Sequence, residues 1–297
     1  MRLRSDIVAL GVIAAALLLG AAPARAAEET ATPPQQRWSF AGAFGTFDRA
    51  QLQRGFKVFQ EVCATCHGLG LLAFRNLSEP GGPEFTPAQV ASVASQWLFK
   101  VQDGPNDQGE MFERAPRPAD RFPPPWPNEN AARARYNGVP PDMSVIAKAR
   151  GFERGFPKFI FDALPGLQYQ EQGVDYITAL LQGYADPPAD FTLQPGLHYN
   201  KFFPGHALSM PPPLTDGRVE YTDGAPATVE QYAKDISAFL MWAAEPHLEA
   251  RKRIGFQVMV FLIVFAGLMY FTKKKVWKEV EAPAEAARGQ VPVEGKP

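Results

Sequence analysis

Between Ile254 and Thr272 the chain runs for 19 residues without a charge, and Gln257 is the only strongly polar side chain in that run. As an α-helix rising ~1.5 Å per residue the stretch reaches roughly 28 Å, about the hydrocarbon thickness of a bilayer. It is apolar all round, so it does not read as the one-sided helix of a soluble surface. A helix buried in a protein core is the competing reading, and the flanks weigh against it. Arg251, Lys252 and Arg253 precede the run, and Lys273, Lys274, Lys275 and Lys278 follow it. Cations at both ends can snorkel to two interfaces, and Tyr270 and Trp277 suit an interfacial belt. The chain is therefore expected to be a head carried on one transmembrane helix.

The opposite end carries a shorter apolar run. Arg2 and Arg4 precede Ile7 to Ala22, Gly11 and Gly20 interrupt it, and Ala24-Arg25-Ala26 has the form of a cleavage site. This is the pattern of a secretory signal peptide, removed after Ala26, rather than of an uncleaved anchor. The predicted organisation is a signal at 1–26, an exported head at 27–250, an anchor with basic flanks at 251–275 and a tail at 276–297. Three cations against four decide little about orientation. The signal peptide decides it: the head lies in the periplasm of a bacterial inner (cytoplasmic) membrane, and the C-terminus is cytoplasmic.

Both cysteines of the chain fall in Val62-Cys63-Ala64-Thr65-Cys66-His67. Two thiols at this spacing can form thioethers with the two vinyl groups of one porphyrin, and the histidine after them is carried under the iron. A thioredoxin-like pair would sit in a βαβ pattern, which is missing here. A zinc site would want a second pair of cysteines. Export agrees with the haem reading, because bacterial c-type haem is attached outside the cytoplasm. For electron transfer a sixth iron ligand must come from elsewhere, whereas catalysis or gas binding would leave that position open. Met210 stands out because Pro211, Pro212 and Pro213 follow it, and proline lowers the entropy cost of holding a ligand in place. His206, four residues away, competes with it. Met143 reads as packing, Met111 lies in a polar loop, Met259 and Met269 belong to the anchor, His247 reads as a surface residue, and His198 is uncommitted.

The whole chain has 29 Pro and 25 Gly, and its head should be mainly α with long irregular loops and little sheet. Asp48 reads as an N-cap for a helix carrying Leu52, Phe56, Phe59 and Val62 and ending at the cysteines. Thr86 with Pro87 opens a second helix. From Gln102 to Asn130 periodicity vanishes, and Phe122-Pro123-Pro124-Pro125-Trp126-Pro127 is extended. Short helices are expected over 131–136 and from Met143 to Arg150, on either side of the Pro140-Pro141-Asp142 turn. Residues 151–173 read as an insertion, Val174 to Leu181 as a helix, and 189–225 as mostly irregular. Thr228-Val229-Glu230-Gln231 has capping-box form and opens a helix with Tyr232, Ile236, Phe239 and Leu240 on one face. The head carries 18 Lys+Arg against 26 Asp+Glu, a net of −8. An acidic head suits a basic soluble partner, or serves solubility alone, and nucleic acid is not expected as a partner.

Six stretches in this order resemble the cytochrome c1 family: Glu61 to His67; Phe122 to Arg133; Asn137-Gly138-Val139-Pro140-Pro141-Asp142-Met143-Ser144; Gly196 to Gly205; Ser209-Met210-Pro211-Pro212; and Trp242-Ala243-Ala244-Glu245-Pro246 with Arg251-Lys252-Arg253. The resemblance covers nearly all of the chain after the signal. It implies one covalently bound haem c held by Cys63 and Cys66, with His67 and Met210 as axial iron ligands. It also implies Arg150 on a haem propionate, matching the second Arg of a family Arg-x-Arg whose first is Lys148 here, and Tyr176 near the haem. The function it implies is electron transfer within the ubiquinol–cytochrome c reductase (bc1) complex. One electron would come from the Rieske iron–sulfur protein and pass to a soluble cytochrome c, with cytochrome b alongside in a dimeric complex. On this reading the chain is an enzyme subunit that makes and breaks no substrate bond. A tethered cytochrome outside any such complex, and a haem enzyme or sensor with an open sixth site, are the alternatives.

Overall fold

The computed structural model describes residues 31–152 and 171–288, with side chains as far as 278. The 1–26 segment read as a signal peptide and most of the 151–173 stretch read as an insertion lie outside the described residues. Among those described, the order is α1 (Arg49–Glu61), a 3-10 turn (Cys63–Thr65), a second 3-10 turn (Phe74–Ser78), α2 (Pro87–Ser95), β1 (Val101–Asp103) and β2 (Phe112–Arg114). It continues with α3 (Glu129–Tyr136), α4 (Ile146–Ala149), α5 (Gln172–Gln182), β3 (His198–Tyr199), β4 (Ala207–Leu208), α6 (Val229–Ala244) and α7 (Leu248–Arg288). The chain is mainly helical, as expected.

Capping explains several boundaries. Asp48 accepts from Gln51 N at 3.2 Å and starts α1. Thr86 and Gln89 form a complete capping box ahead of α2, with Pro87 at its first position. Thr228 also caps, accepting from Gln231 N, but the box expected there is only half made. The Gln231 side chain points forward instead and donates to Asp235 Oδ1 at 2.9 Å. The reason is burial: Asp235 is fully buried and collects Arg54 Nε at 2.8 Å and Gln51 Nε2 at 3.2 Å as well. A buried carboxylate left short of donors is costly, so it outbids an exposed cap.

The core centres on the crossing of α1 and α6. Gly55 makes the crossing close, since a Cβ there would sit 2.1 Å from Asp235 O and 2.7 Å from Phe239 Cβ. Phe56 and Phe59 of α1 pack on Phe239 with centroids 5.7 and 5.8 Å apart, and both stack on Trp97. Phe74 and Phe122 close the cluster at 4.0 Å. Each fully buried Phe contributes about 1.5–3 kcal/mol. Helix α5 lies on the other side of α6, where Thr178 Oγ1 donates to Ser237 Oγ at 2.8 Å in a fully buried contact.

Three regions differ from expectation in detail. The 102–130 stretch contains most of a small antiparallel hairpin, in which Val101 pairs with Arg114. The irregular 189–225 stretch contains another, pairing His198 with Leu208. Helix α4 covers only 146–149, because Asp142 and Ser144 are held in a turn ahead of it. Beyond Pro246, α7 leaves the head as one long helix. Its segment Leu248–Lys278 is long and apolar enough to cross a membrane, and its most apolar window is not buried against the head. Phe261 and Ile263 are both exposed, which removes the core-helix reading.

Candidate haem centre

Helix α1 delivers the two cysteines. It ends at Glu61, and the next turn tightens to a 3-10 form in which Cys66 N and His67 N both donate to Cys63 O, at 3.1 and 2.8 Å. The turn therefore holds both thiols and the imidazole within one compact loop. Both cysteines are free, Cys63 buried and Cys66 half-buried. Burial, with Cys66 adding to it, pushes the Cys63 thiol up to about 12. Cys66 Sγ donates to Tyr136 OH at 3.5 Å.

The loop after the motif is clamped by a segment more than 70 residues away. Pro141 O takes His67 Nδ1 at 2.8 Å. A carbonyl can only accept, so Nδ1 carries the proton and the free lone pair is on Nε2. Met143 N donates to Gly68 O at 2.8 Å, and Gly70 N donates to Asp142 Oδ2 at 2.8 Å. Leu71 N donates to Ser144 Oγ at 3.0 Å. Gly68 permits the approach, because a Cβ there would meet Asp142 Oδ2 at 2.8 Å. His67 is buried, and desolvation lowers its pKa against the opposing pull of Pro141 and Asp142.

A third segment covers the motif from another side. Trp126 Nε1 donates to Cys66 O at 3.1 Å, and its ring meets Tyr136 edge-on at 4.8 Å. The Arg135 guanidinium lies 5.7 Å from the Tyr136 ring centre and 6.0 Å from that of Trp126. The polyproline-like stretch thus brings a tryptophan against the haem motif. Sequence alone does not mark Pro141, Asp142, Trp126 and Tyr136 as site residues. The only signals are the Pro-Pro-Asp turn and the lone aromatic among prolines.

The remaining candidates sit on other elements. Met210 is half-buried beyond the β3–β4 hairpin, and its carbonyl accepts from Tyr184 OH at 3.0 Å. His206 is buried at the hairpin turn with φ +57°, its ring stacked on Tyr199 at 5.3 Å and its Nδ1 on Asn200 O at 2.9 Å. Tyr176 is buried in α5, and burial raises its hydroxyl while the charge of exposed Arg150 draws it down. The main chains of α4 and α5 come close here, since a Cβ at Gly173 would meet Arg150 O at 2.7 Å. His247 is exposed.

The donor set fits a covalently attached haem. It offers two unpaired thiols on one turn and a neutral imidazole whose free nitrogen is fixed by its partner. A helical head bearing this site and continuing into a long apolar helix defines a membrane-attached cytochrome of the c type. The cytochrome C1 family model matches residues 38–280. The chain is 51% identical to "Cytochrome c1" of Blastochloris viridis over 274 residues, 91% of this chain and 96% of that protein. It is 43% identical to "Cytochrome c1-2, heme protein, mitochondrial" of Solanum tuberosum, over 84% of this chain and 88% of that one. It is also 62% identical to "Cytochrome b/c1" of Bradyrhizobium diazoefficiens over 92% of its own length, where it spans 40% of the relative. The chain belongs to the cytochrome c1 family, whose members carry covalently bound haem c and serve as electron-transfer subunits of the bc1 complex.

Proposed function

We propose that this chain relays single electrons from the Rieske iron–sulfur protein to a soluble cytochrome c during ubiquinol oxidation. Cytochrome b sits beside it in a dimeric bc1 complex, and the chain acts there as an enzyme subunit without bond-making chemistry of its own. When bound, haem c supplies a one-electron ferric/ferrous couple. In this reading Cys63 and Cys66 would hold the porphyrin through thioethers, His67 through Nε2 and Met210 through Sδ would ligate the iron, Arg150 would neutralise a propionate, and Tyr176 would lie near the haem. The observation that carries the reading is the His67 Nδ1 to Pro141 O bond, which fixes the tautomer and leaves Nε2 free to ligate. Support for Met210 over His206 comes from their settings. His206 is stacked on Tyr199 and engaged at Nδ1 in a hairpin turn, whereas the Met210 main chain is pinned by Tyr184 and followed by three prolines.

The head at 27–250 is taken as periplasmic, the anchor as 251–275 and the tail at 276–297 as cytoplasmic, after removal of 1–26. A redox-difference spectrum of the purified complex tests the function, since it reports haem types and ligation together. Met210→Leu is expected to lower the midpoint potential sharply and to remove the methionine–iron charge-transfer band. An unchanged titration in that variant moves the sixth ligand to His206. High-spin iron that binds CO readily in the unmutated protein would favour an open-site haem enzyme instead.

A further inference from the structure

The loop at residues 39–47 is fastened to the first turn of α7. Phe47 N donates to Glu249 Oε1 at 2.8 Å, and Arg49 grips the same carboxylate with two nitrogens at 2.7 and 2.9 Å. Lys252 Nζ donates to Phe40 O and Gly45 O, so the loop is held at both of its ends. What the loop displays is Phe44, which is 75% exposed, and its ring meets Phe256 edge-on at 5.4 Å. Phe256 is the third residue of the uncharged run that starts at Ile254. Phe44 is therefore level with the first turn of the apolar segment, and it belongs to the head, not to the anchor. A cavity of about 440 Å³ beside them is lined by Phe44 and Phe256 together with Glu249, Lys252 and Arg253.

We infer that this corner is a phospholipid site at the head-side interface of the membrane that α7 crosses. Phe44 enters the headgroup–acyl boundary beside Phe256, and Arg253 takes the lipid phosphate. An exposed aromatic ring next to a cation at the mouth of an apolar helix matches the polarity gradient of that boundary. Glu249 does not oppose the phosphate, because Arg49 already neutralises it. Arg253 stands one residue before the apolar run, where a side chain of its length reaches the phosphate layer. The occupant is a lipid and not free phosphate, because the cationic border of the cavity is continuous with two aromatic rings. The inference rests on α7 crossing the membrane.

The test is photocrosslinking of the intact haem-loaded complex in native membranes, with Phe44→p-benzoylphenylalanine and, as a marker for the anchor, Met259→p-benzoylphenylalanine. A phospholipid mass adduct at both positions is the expected result. A lipid adduct at 259 with none at 44 puts the loop in water and overturns the inference. An adduct from 44 to another subunit shows that protein covers this corner, and overturns it too. Loss of lipid adducts at both positions overturns the membrane-span reading itself. In a second arm, Arg253→Gln should lose part of the motionally restricted component of spin-labelled phosphatidylglycerol, and excess inorganic phosphate should leave that component intact. Displacement of the lipid by inorganic phosphate would reduce the site to a simple anion site and overturn the lipid assignment.

Discussion

Asp142 commits both carboxylate oxygens to main-chain donors, Gly70 N on the haem-motif side and Ser144 N on its own. It thereby welds the turn that presents Pro141 O to the loop that carries His67. Asp142→Ala leaves two amide donors short of partners, at about 1–3 kcal/mol for each that stays buried. We expect a lowered denaturation midpoint for the haem-loaded protein, together with a shifted redox potential as the imidazole loses its fixed partner. Asp142→Asn keeps one acceptor and should recover part of both. Asp175, unlike the exposed Asp142, is a buried carboxylate and behaves differently. Asp175 accepts from Trp38 Nε1 at 2.7 Å and Gln36 N at 3.1 Å, but its Oδ2 has no partner among the described residues, and burial raises its pKa. A folded-state pKa above the unfolded one means that the folded chain binds the extra proton. Its contribution is thus complete below the unfolded value of 3.8 and is lost as pH rises through the raised value. Asp175→Asn should remove that part of the pH dependence, read as the difference between the two unfolding curves from pH 3 upward. At this scale the sequence is legible where chemistry is local. Cys63, Cys66 and His67 announce themselves within five residues, whereas Pro141, 74 positions from His67, can be placed only by the tertiary fold.

Helices are readable where caps and apolar spacing agree, as at Asp48 and Thr86. They are misread where a tertiary demand overrides a local one, as when Asp235 draws Gln231 away from the Thr228 cap. The hairpins leave no sequence signal because strands of two or three residues are too short to show a period. The α1–α6 crossing also leaves only a faint trace, a glycine among good helix formers. It is the contact most sensitive to volume. Gly55→Ala places a methyl group 2.1 Å from Asp235 O, and neither backbone can give way without parting the helices. A loss of at least about 2 kcal/mol is expected, at the upper part of the usual range for overpacking. Thermal unfolding should show it as a fall in Tm of several degrees. Because Cys63 follows closely on α1, the motif should move with the helix, and the visible spectrum of the variant should shift as well.

The whole molecule divides its charge by location. The head carries −8, while the first turns and far end of α7 are basic. If the acidic surface steers a basic soluble cytochrome, the rate of cytochrome c reduction by the complex should fall steadily with added salt. The Debye length shortens from ~10 Å at 0.1 M to ~3 Å at 1 M. A flat rate across that range would leave the charge as a solubility device. The division into head and anchor is plain from the uncharged run and its lysine and arginine flanks. The way they are joined is not, since Arg49 and Glu249 lie 200 residues apart. That joint has a consequence of dimension. Arg49 opens α1 and grips the base of the anchor, and the haem cysteines begin two residues after α1 ends. Thirteen residues of helix at ~1.5 Å each set about 20 Å between the two. Helix α1 is in effect a spacer: its length fixes how far from the base of the anchor any electron donor or acceptor must meet the haem motif.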